Sequence, residues 1–236
     1  MPNTRAIIGE NRLLQLLPHQ DVDHVLSQCD LVELSVGQVL INANETITYA
    51  YFPLSGIISW EKQIIGCPYL LLSLVGYEGM LSIELTLNVN HASCRAVVQK
   101  AGFAWRLPVK KLEYFMLNSP ALLEVLKNYT FVVISQLIQN NVCNHFHLLE
   151  CRLARTFLML QFRAKSSEFT ITHESLALML GVRRVGITKA ANALQNLNII
   201  RYSRGHVSVL NQPKLLLRSC VCYKSDIEIY EKYLAK

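Results

Sequence analysis

The chain has 236 residues, of which 51% are hydrophobic and 17% charged, enough to bury a core without disulfides or metal ions. Its seven cysteines are scattered and odd in number, which argues against a disulfide framework. The formal net charge is +6, but residues 1–149 carry 9 Lys/Arg and 11 Asp/Glu, whereas residues 150–236 carry 14 and 6.

The basic carboxy-terminal part favours a polyanion as partner, with nucleic acid before membrane. An evenly solvated basic surface is the alternative. The start of the chain, MPNTRAIIGENR, lacks a basic segment followed by a long apolar run, and the apolar stretch at residues 64–75 is short and broken by Pro68. We therefore expect a cytoplasmic protein that does not associate with membranes.

Residues 30–108 predict a small antiparallel β-roll or jelly roll. Val32, Leu34 and Val36 alternate with polar residues, and further β-branched or aromatic runs are separated by glycines. Short strands at this spacing are typical of such folds. The leucines and valines of residues 11–29 have helical spacing instead. We assign residues 1–118 to this first domain.

One long helix is predicted for residues 120–145, with Ser119 as its N-cap. Its apolar residues lie on every side, so every side must be covered. We expect one side to pack on the β-roll and another to pack on the same helix of a second subunit, through Leu126, Val133 and Leu137. Complete burial within one subunit is the alternative, and interrupting polar residues argue against a membrane span.

Polarity returns at residues 145–147, where the charge pattern also changes, so we place a domain boundary near residue 148. We assign residues 119–147 to the dimerisation helix and hinge, and residues 148–236 to a carboxy-terminal domain. The fold class is therefore α+β: an antiparallel β-roll, a long helix and a smaller mixed domain.

Two helical patterns in residues 173–200 are separated only by a short turn. Thr172 is placed to cap the first helix, and Gly181 permits the left-handed residue of a tight turn. The second pattern, residues 183–197, directs small apolar residues inward. Such a pair is typical of a helix-turn-helix, whose second helix can lie in the major groove of DNA.

The outward side of the second helix is polar and basic. Arg184, Thr188 and Lys189 share it, although the apolar side alone would suffice for packing. Residues 199–210 then predict a β-hairpin with a basic turn, a wing that can follow DNA phosphates beside the groove. The combination favours DNA binding over a purely structural helical domain.

This order of parts resembles the Crp/Fnr superfamily of bacterial transcription regulators. The resemblance extends from about residue 11 to 223 and is most specific over TITHESLALMLGVRRVGITKAANALQNLNIIRYSRGHVSVLN, residues 170–211. It implies a cyclic-nucleotide-binding-like β-roll, a dimerisation helix and a winged helix-turn-helix. It also implies a homodimer on double-stranded DNA, with its two recognition helices about 34 Å apart, and RNA polymerase as a candidate partner.

Carried onto this sequence, the family pattern places base-reading side chains at Arg184 and Lys189, with Thr188 on the same side. Val185 stands where the family often has an acidic residue, so the operator is expected to differ from the best-known sites. The residues that would hold phosphates are Thr172, His173, Arg183, Arg201, Arg204 and His206.

The effector is expected to be something other than cyclic AMP. Family members that bind it use a glycine-glutamate segment, which Glu78 resembles, and an Arg-Ser/Thr-Ala triplet, whose order is broken at Ser93 and Arg95. A buried phosphate without its arginine is costly. A cyclic-nucleotide-responsive regulator that uses Glu78 and Arg95 is the alternative.

Neither a resident cofactor nor catalysis is expected. Cys220 and Cys222 form the closest cysteine pair, and a metal site would need two more ligands, so we predict no metal site. Cys29 alone precedes Cys67, which excludes an amino-terminal iron–sulfur cluster. Haem ligation by His145 or His147, or a redox-responsive cysteine, is a further alternative. The sequence lacks a catalytic motif, so we predict that the protein is not an enzyme.

Overall fold

The computed structural model describes residues 10–63 and 65–234, so the predicted absence of a signal sequence and the first nine residues of the first predicted domain lie outside it. The chain folds into two compact units, each described by itself. The first unit comprises Met1–Glu61, Leu74–Ile134 and Tyr230–Lys236; the second comprises Lys62–Ser73 and Ser135–Ile229.

The first unit is built mainly of antiparallel strands, which confirms the predicted β-roll class. The strands are β1 (Asp30–Leu34), β2 (Val39–Ile41), β3 (Tyr49–Pro53), β4 (Ile57–Lys62), β5 (Leu70–Val75, of which Leu74 and Val75 belong to this unit), β6 (Arg95–Lys100) and β7 (Gly102–Pro108). One sheet has the order β1-β7-β3 and the other β2-β6-β4-β5. In the first sheet β7 pairs antiparallel with β1 and β3, and in the second β6 pairs antiparallel with β2 and β4.

Two short helices, α1 (Arg12–Gln15) and α2 (His19–Leu26), replace the single helical stretch suggested by residues 11–29. Pro18 stands between them, and proline cannot continue a helix by donating a backbone hydrogen bond. Asn11 fixes the start of α1. Its side chain accepts a hydrogen bond from the Leu13 amide at 3.1 Å and donates to the Gly79 carbonyl at 2.8 Å, so this buried amide is well satisfied.

Helix α3 (Val109–Asn118) follows β7 and was missed in the sequence, whereas the long helix α4 (Pro120–Phe146) begins where predicted. The Ser119 hydroxyl accepts a hydrogen bond from the Leu122 amide at 3.2 Å, which confirms the predicted N-cap.

The burial of α4 corrects the predicted dimer contacts. Leu126 and Val133 are 0% and 5% exposed within their own chain, so they are unavailable to a second subunit. Leu137 is half-buried. A helix that is apolar on every side does not reveal in its sequence which side meets its own core. Phe146, the last residue of α4, is exposed, and four further apolar residues are exposed along the helix: Phe131, Ile134, Ile138 and Val142, here named the α4 stripe.

Helix α4 is also long and apolar enough to cross a membrane, judged by length and composition alone. Buried core helices of globular proteins meet the same criterion, and 39% of the most apolar window is buried inside this chain. The expectation that α4 is not a membrane span rests on its interrupting polar residues and stays a prediction.

The second unit has the predicted helix-turn-helix followed by a hairpin. A small antiparallel sheet has the order β8-β10-β9. The core includes Phe157, Leu176, Ile187 and Val207, which are fully buried. Its elements are α5 (Leu149–Ala164), β8 (Glu168–Thr170), α6 (His173–Leu180), α7 (Arg184–Asn196), β9 (Ile200–Ser203), β10 (His206–Val209), α8 (Gln212–Arg218) and α9 (Cys222–Leu234).

The boundary between the compact units falls inside α4, between Ile134 and Ser135. The division inferred from the sequence, at residues 118/119 and 147/148, follows changes of composition instead. A continuous helix gives no compositional break where packing changes, so the two divisions differ. The division at 148 stays a prediction.

We expect Gly102→Ala to destabilise the first unit by about 1–3 kcal/mol, because its Cβ would create an overpacked contact. A Cβ there would lie 2.4 Å from the Ser55 carbonyl carbon and 2.5 Å from the Gly56 nitrogen, which are backbone atoms. Urea unfolding followed by tryptophan fluorescence measures this, since both tryptophans, Trp60 and Trp105, lie in this unit. The control is Ala101→Ser at the exposed neighbouring position; equal unfolding midpoints for the two variants would contradict the prediction.

Candidate nucleic-acid interface

The turn between α6 and α7 is fixed by local hydrogen bonds. The Thr172 hydroxyl accepts from the Ser175 amide at 3.0 Å and caps α6. Gly181 has a φ of 61°, in the left-handed region that suits glycine. The Val182 amide donates to the Ala177 carbonyl at 3.0 Å. The turn therefore ends α6 sharply and allows α7 to leave in a new direction.

Helix α7 buries one side and exposes the other. Ile187, Ala191 and Leu194 are 0% exposed and form the inner side. Arg183, which precedes the helix, makes no side-chain cap, so the first amides of α7 lack that partner. Asn196, the last residue of α7, is exposed on the outer side, together with five residues here named the α7 flank: Arg183, Arg184, Val185, Lys189 and Asn192.

Two predicted contact residues are instead engaged inside the unit. The Thr188 hydroxyl lies 3.1 Å from Nδ1 of His173 and donates to the Arg184 carbonyl at 3.2 Å. The Nε2 atom of His173 is buried. The imidazole is therefore not positioned to hold a phosphate, which corrects the sequence prediction for His173. Thr188 is half-buried and takes part in joining α6 to α7.

Tyr202 extends this junction to the wing. Its ring centroid lies 4.5 Å from that of His173, and its hydroxyl donates to the Ile171 carbonyl at 2.6 Å. Burial raises the pKa of Tyr202 to about 12. Burial also lowers the pKa of His173, with a smaller contribution from the charge of Arg184, so the neutral imidazole is favoured. Neutral His173, Thr188 and Tyr202 thus connect α6, α7 and β9.

The wing is a two-residue hairpin between β9 and β10. Arg204 and Gly205 both have positive φ, 49° and 83°, as a type I′ turn requires. Arg201 and Arg204 are exposed, as is Thr172 at the start of α6. The exposed His206 lies 3.9 Å from the Glu168 carboxylate. The wing therefore presents two arginines to solvent on the hairpin that follows α7.

Part of the positive charge counted in the sequence is buried. Arg155 donates to the Asp226 carboxylate and, at 2.7 Å, to the Asn140 side chain. Arg163 donates to the Gln136 side chain at 3.1 Å. These guanidinium groups stabilise α5 against its neighbours and are unavailable to a polyanion.

Arg152 positions the helix-turn-helix, a role that the sequence does not reveal. Its guanidinium donates to the Leu180 carbonyl, at the end of α6, and to the Asn144 side chain at 2.7 Å. Burial lowers its pKa. A buried arginine beneath the turn fixes α6 relative to α5 and to the end of α4.

The predicted effector residues each contact other residues of the first unit. Glu78 is buried and accepts from the Gly76 amide at 3.2 Å. Ser93 donates to Glu84 at 2.7 Å. Arg95 lies 4.0 Å from Glu61, the residue opposite it in β4. A cyclic phosphate would have to compete with Glu61 for Arg95.

The comparisons with known proteins agree with this geometry. Residues 151–218 match the family model of the Crp-like helix-turn-helix domain. This segment is a Crp-like helix-turn-helix domain. It is a DNA-binding domain and not a catalytic one, which agrees with the prediction that the protein is not an enzyme. A comparison with curated proteins found no match.

Several solved regulators share the fold over most of the chain. FixK2 from Bradyrhizobium japonicum has a TM-score of 0.72 at 12% identity and covers 81% of this chain and 98% of its own. A Crp/Fnr regulator from Eubacterium rectale has a TM-score of 0.66 at 18% identity and covers 89% of this chain and 99% of its own. The regulator CLP from Xanthomonas campestris has a TM-score of 0.66 at 12% identity and covers 81% of this chain and 99% of its own. With the domain match, this fold confirms the resemblance to the Crp/Fnr superfamily.

We expect the stability of the Crp-like domain to fall as the pH drops below about 6.5, the ordinary pKa of histidine. His173 has a lowered pKa in the folded chain, so the unfolded chain binds the proton more tightly there, and stability is lost as the pH falls toward the folded pKa. Urea midpoints from circular dichroism between about pH 5 and 7.5 measure the effect.

The comparison that isolates this histidine is His173→Gln, which should show a shallower decline than the wild type. His19→Gln removes an exposed histidine of α2 and should retain the full decline. Parallel curves for the wild type and His173→Gln would contradict the prediction.

Proposed function

We propose that the chain is a homodimeric regulator of transcription that recognises a specific DNA sequence through the α7 flank. The observation that carries this proposal is the exposure of Arg184 and Lys189 on a helix whose opposite side is fully buried. The packing of α7 on the core of its unit does not involve the charged groups of Arg184 and Lys189. A helix of this kind, at the second position of a Crp-like domain, suits the major groove.

Within the flank, Arg184 is the proposed principal base-reading residue. Its guanidinium can donate two hydrogen bonds to one guanine, worth about 1–3 kcal/mol of discrimination. Lys189 lies on the same exposed side and is the second proposed base contact. The exposed Val185, 66% accessible, suits an apolar contact with a thymine methyl group, in place of an acidic contact to cytosine.

Phosphates are the proposed partners of Thr172, Arg183 and the wing. Arg201 and Arg204 are exposed, and a phosphate at the start of α7 would also satisfy amides that lack a side-chain cap. His206 is the least favourable member of this group, because Glu168 lies 3.9 Å away. These contacts would position the domain without reading sequence.

The α4 stripe is the proposed dimer contact in place of Leu126 and Val133. Phe131, Ile134, Ile138 and Val142 recur at helical spacing and are each at least 43% exposed. Exposed apolar residues that line one side of a helix are typical of pairing with a like helix. Two subunits are what a near-palindromic operator requires.

The first unit is proposed to sense a small ligand other than cyclic AMP, or to act as a dimerisation scaffold. The proximity of Glu61 to Arg95 supports the exclusion of cyclic AMP, because the arginine already has an acidic neighbour. A cyclic-nucleotide response through Glu78 and Arg95 is the alternative. A cytoplasmic location and contact with RNA polymerase would follow from a role in transcription.

Arg184→Ala and Lys189→Ala are each expected to weaken binding to a selected operator about tenfold or more. The operator is obtained by selecting duplexes from a random pool with the wild-type chain, and affinities are measured by fluorescence anisotropy at one salt concentration. Arg184→Lys keeps the charge and loses the planar fork, so it should weaken operator binding while leaving binding to random DNA nearly unchanged.

The matched control for charge loss is Lys110→Ala, an exposed lysine of α3 in the first unit. It should bind the operator as the wild type does. Equal operator affinity for the wild type and the Arg184→Ala/Lys189→Ala double variant would show that α7 is not the recognition helix.

Ile138→Glu should convert the dimer into monomers in sedimentation velocity, because it places a charge in the middle of the α4 stripe. Leu217→Glu introduces the same charge at another exposed apolar position, 84% accessible in α8, and should leave the dimer intact. A dimer of unchanged affinity in Ile138→Glu would place the subunit contact elsewhere.

A further inference from the structure

Three cysteines and one histidine meet where α4 ends and α9 begins, within the second unit. Cys143 lies in the last turn of α4 and His147 directly follows that helix, while Cys220 stands two residues before α9 and Cys222 is its first residue. Their ligand atoms, three Sγ and one imidazole nitrogen, all lie within 4.8 Å of one another. The Sγ atoms of Cys143 and Cys220 are 3.5 Å apart, and Nδ1 of His147 is 3.4 Å from Sγ of Cys222.

We propose that Cys143, His147, Cys220 and Cys222 bind a single Zn²⁺ ion in a tetrahedral site. Zinc bonds of about 2.3 Å to sulfur and about 2.0–2.1 Å to nitrogen place sulfurs about 3.8 Å apart and sulfur about 3.6 Å from nitrogen around a tetrahedron. The two separations observed here are within a few tenths of an ångström of these values. Three thiolates and one imidazole are also a common donor set for structural zinc.

The same distances argue against an iron–sulfur cluster. In a cluster the thiolates are bound to different irons, so their sulfurs spread over a larger volume than around one ion. Here every pair of ligand atoms is within 4.8 Å. The compact arrangement fits one ion and excludes water from most of the donors, since Cys143, Cys220 and Cys222 are 1%, 8% and 1% exposed.

A polar and a charged side chain act on the cysteine sulfurs. The Gln139 amide donates to Sγ of Cys222 at 2.9 Å, a contact that can orient a metal-bound thiolate. Arg155 contributes a positive charge that acts on Cys143 and Cys220, although the hydrogen bond with Cys220 and burial raise the pKa of Cys143 overall. Three thiolates around Zn²⁺ leave a net charge of −1, and the nearby guanidinium favours it. The thiol protons leave to solvent on binding, so affinity should rise with pH.

The site would stabilise the junction where α4 passes into α5. His147 is two residues before Leu149, the first residue of α5, and the cysteine pair lies where α9 begins after α8. An ion would link this junction to α9 across 73 residues of sequence, from His147 to Cys220. Because this proposal concerns folding of the second unit, it does not depend on the proposed DNA recognition.

The test uses the full chain purified under reducing conditions and measures zinc by mass spectrometry. We expect about one zinc per chain, and X-ray absorption showing three sulfurs and one nitrogen around it. Co²⁺ exchanged into the site should give the visible absorption of a tetrahedral ion with thiolate charge-transfer bands. Removing zinc with a chelator should lower the melting temperature by several degrees.

Cys143→Ser and Cys220→Ser should each lose stoichiometric zinc. Cys67→Ser, at an exposed cysteine, and Cys151→Ser, at a neighbouring cysteine outside the donor set, should retain it. Because the serine variants of buried cysteines could misfold, His147→Cys provides a second measurement. It should keep one Co²⁺ per chain with an absorption spectrum shifted by the fourth thiolate.

The proposal would be overturned by a reduced, folded wild-type chain that takes up no stoichiometric zinc or cobalt. It would also be overturned if Cys143→Ser and Cys220→Ser bound as much zinc as Cys67→Ser, or if iron and sulfide replaced zinc as the bound species. Recovery of a Cys143–Cys220 disulfide as the sole reproducible state under reducing conditions would assign the cluster to redox chemistry instead.

Discussion

The close packing of α7 is the constraint on which the candidate interface depends. Ile187, Ala191 and Leu194 are fully buried, so at about 100° per residue Val185, Lys189 and Asn192 must point away from the core, whereas Arg184, exposed as the first residue of the helix, lies nearer to the buried side. Gly186 brings α7 near α5: a Cβ at this position would lie 3.0 Å from the Leu149 side chain. Small residues on the inner side therefore fix which side of the helix faces outward, independently of the cations themselves.

Arginine serves two opposite roles in the same unit. Arg152 and Arg155 are buried and donate hydrogen bonds to a carbonyl, side-chain amides and a carboxylate, whereas Arg183 and Arg184 face solvent. Burying a guanidinium is tolerated only when such acceptors surround it. The acceptor Asp226 lies 71 residues from Arg155 in sequence, so a charge count treats all of these arginines alike. The basic character of the carboxy-terminal part was a valid indication of DNA binding, but it overstated the charge available to a partner.

Local patterns predicted the parts of the fold that are decided locally. The caps at Ser119 and Thr172, the strand runs and the second helix, expected at 183–197 and found at Arg184–Asn196, all follow from spacing and capping chemistry. Local patterns could not predict contacts between segments that are distant in sequence. The side of α4 that is buried, and the engagement of His173 by Thr188 and Tyr202, depend on tertiary packing that leaves no periodic signal.

The cysteine cluster likewise depends on contacts between distant segments that the sequence does not reveal. It also suggests that α4 can combine two separate roles. A C-x-C pair gave no reason to expect a metal site, because the other two donors, in the last turn of α4 and just beyond it, lie more than 70 residues away in sequence. Cys143, in the last turn of α4, lies about a third of a turn from the centre of the α4 stripe at about 100° per residue, and His147 follows the end of the helix. Metal binding and subunit pairing would therefore use different sides of one stiff helix. Neither would obstruct the other, and a change at the metal site would reach the Crp-like domain through the α4–α5 junction beneath Arg152, without first disrupting the subunit contact.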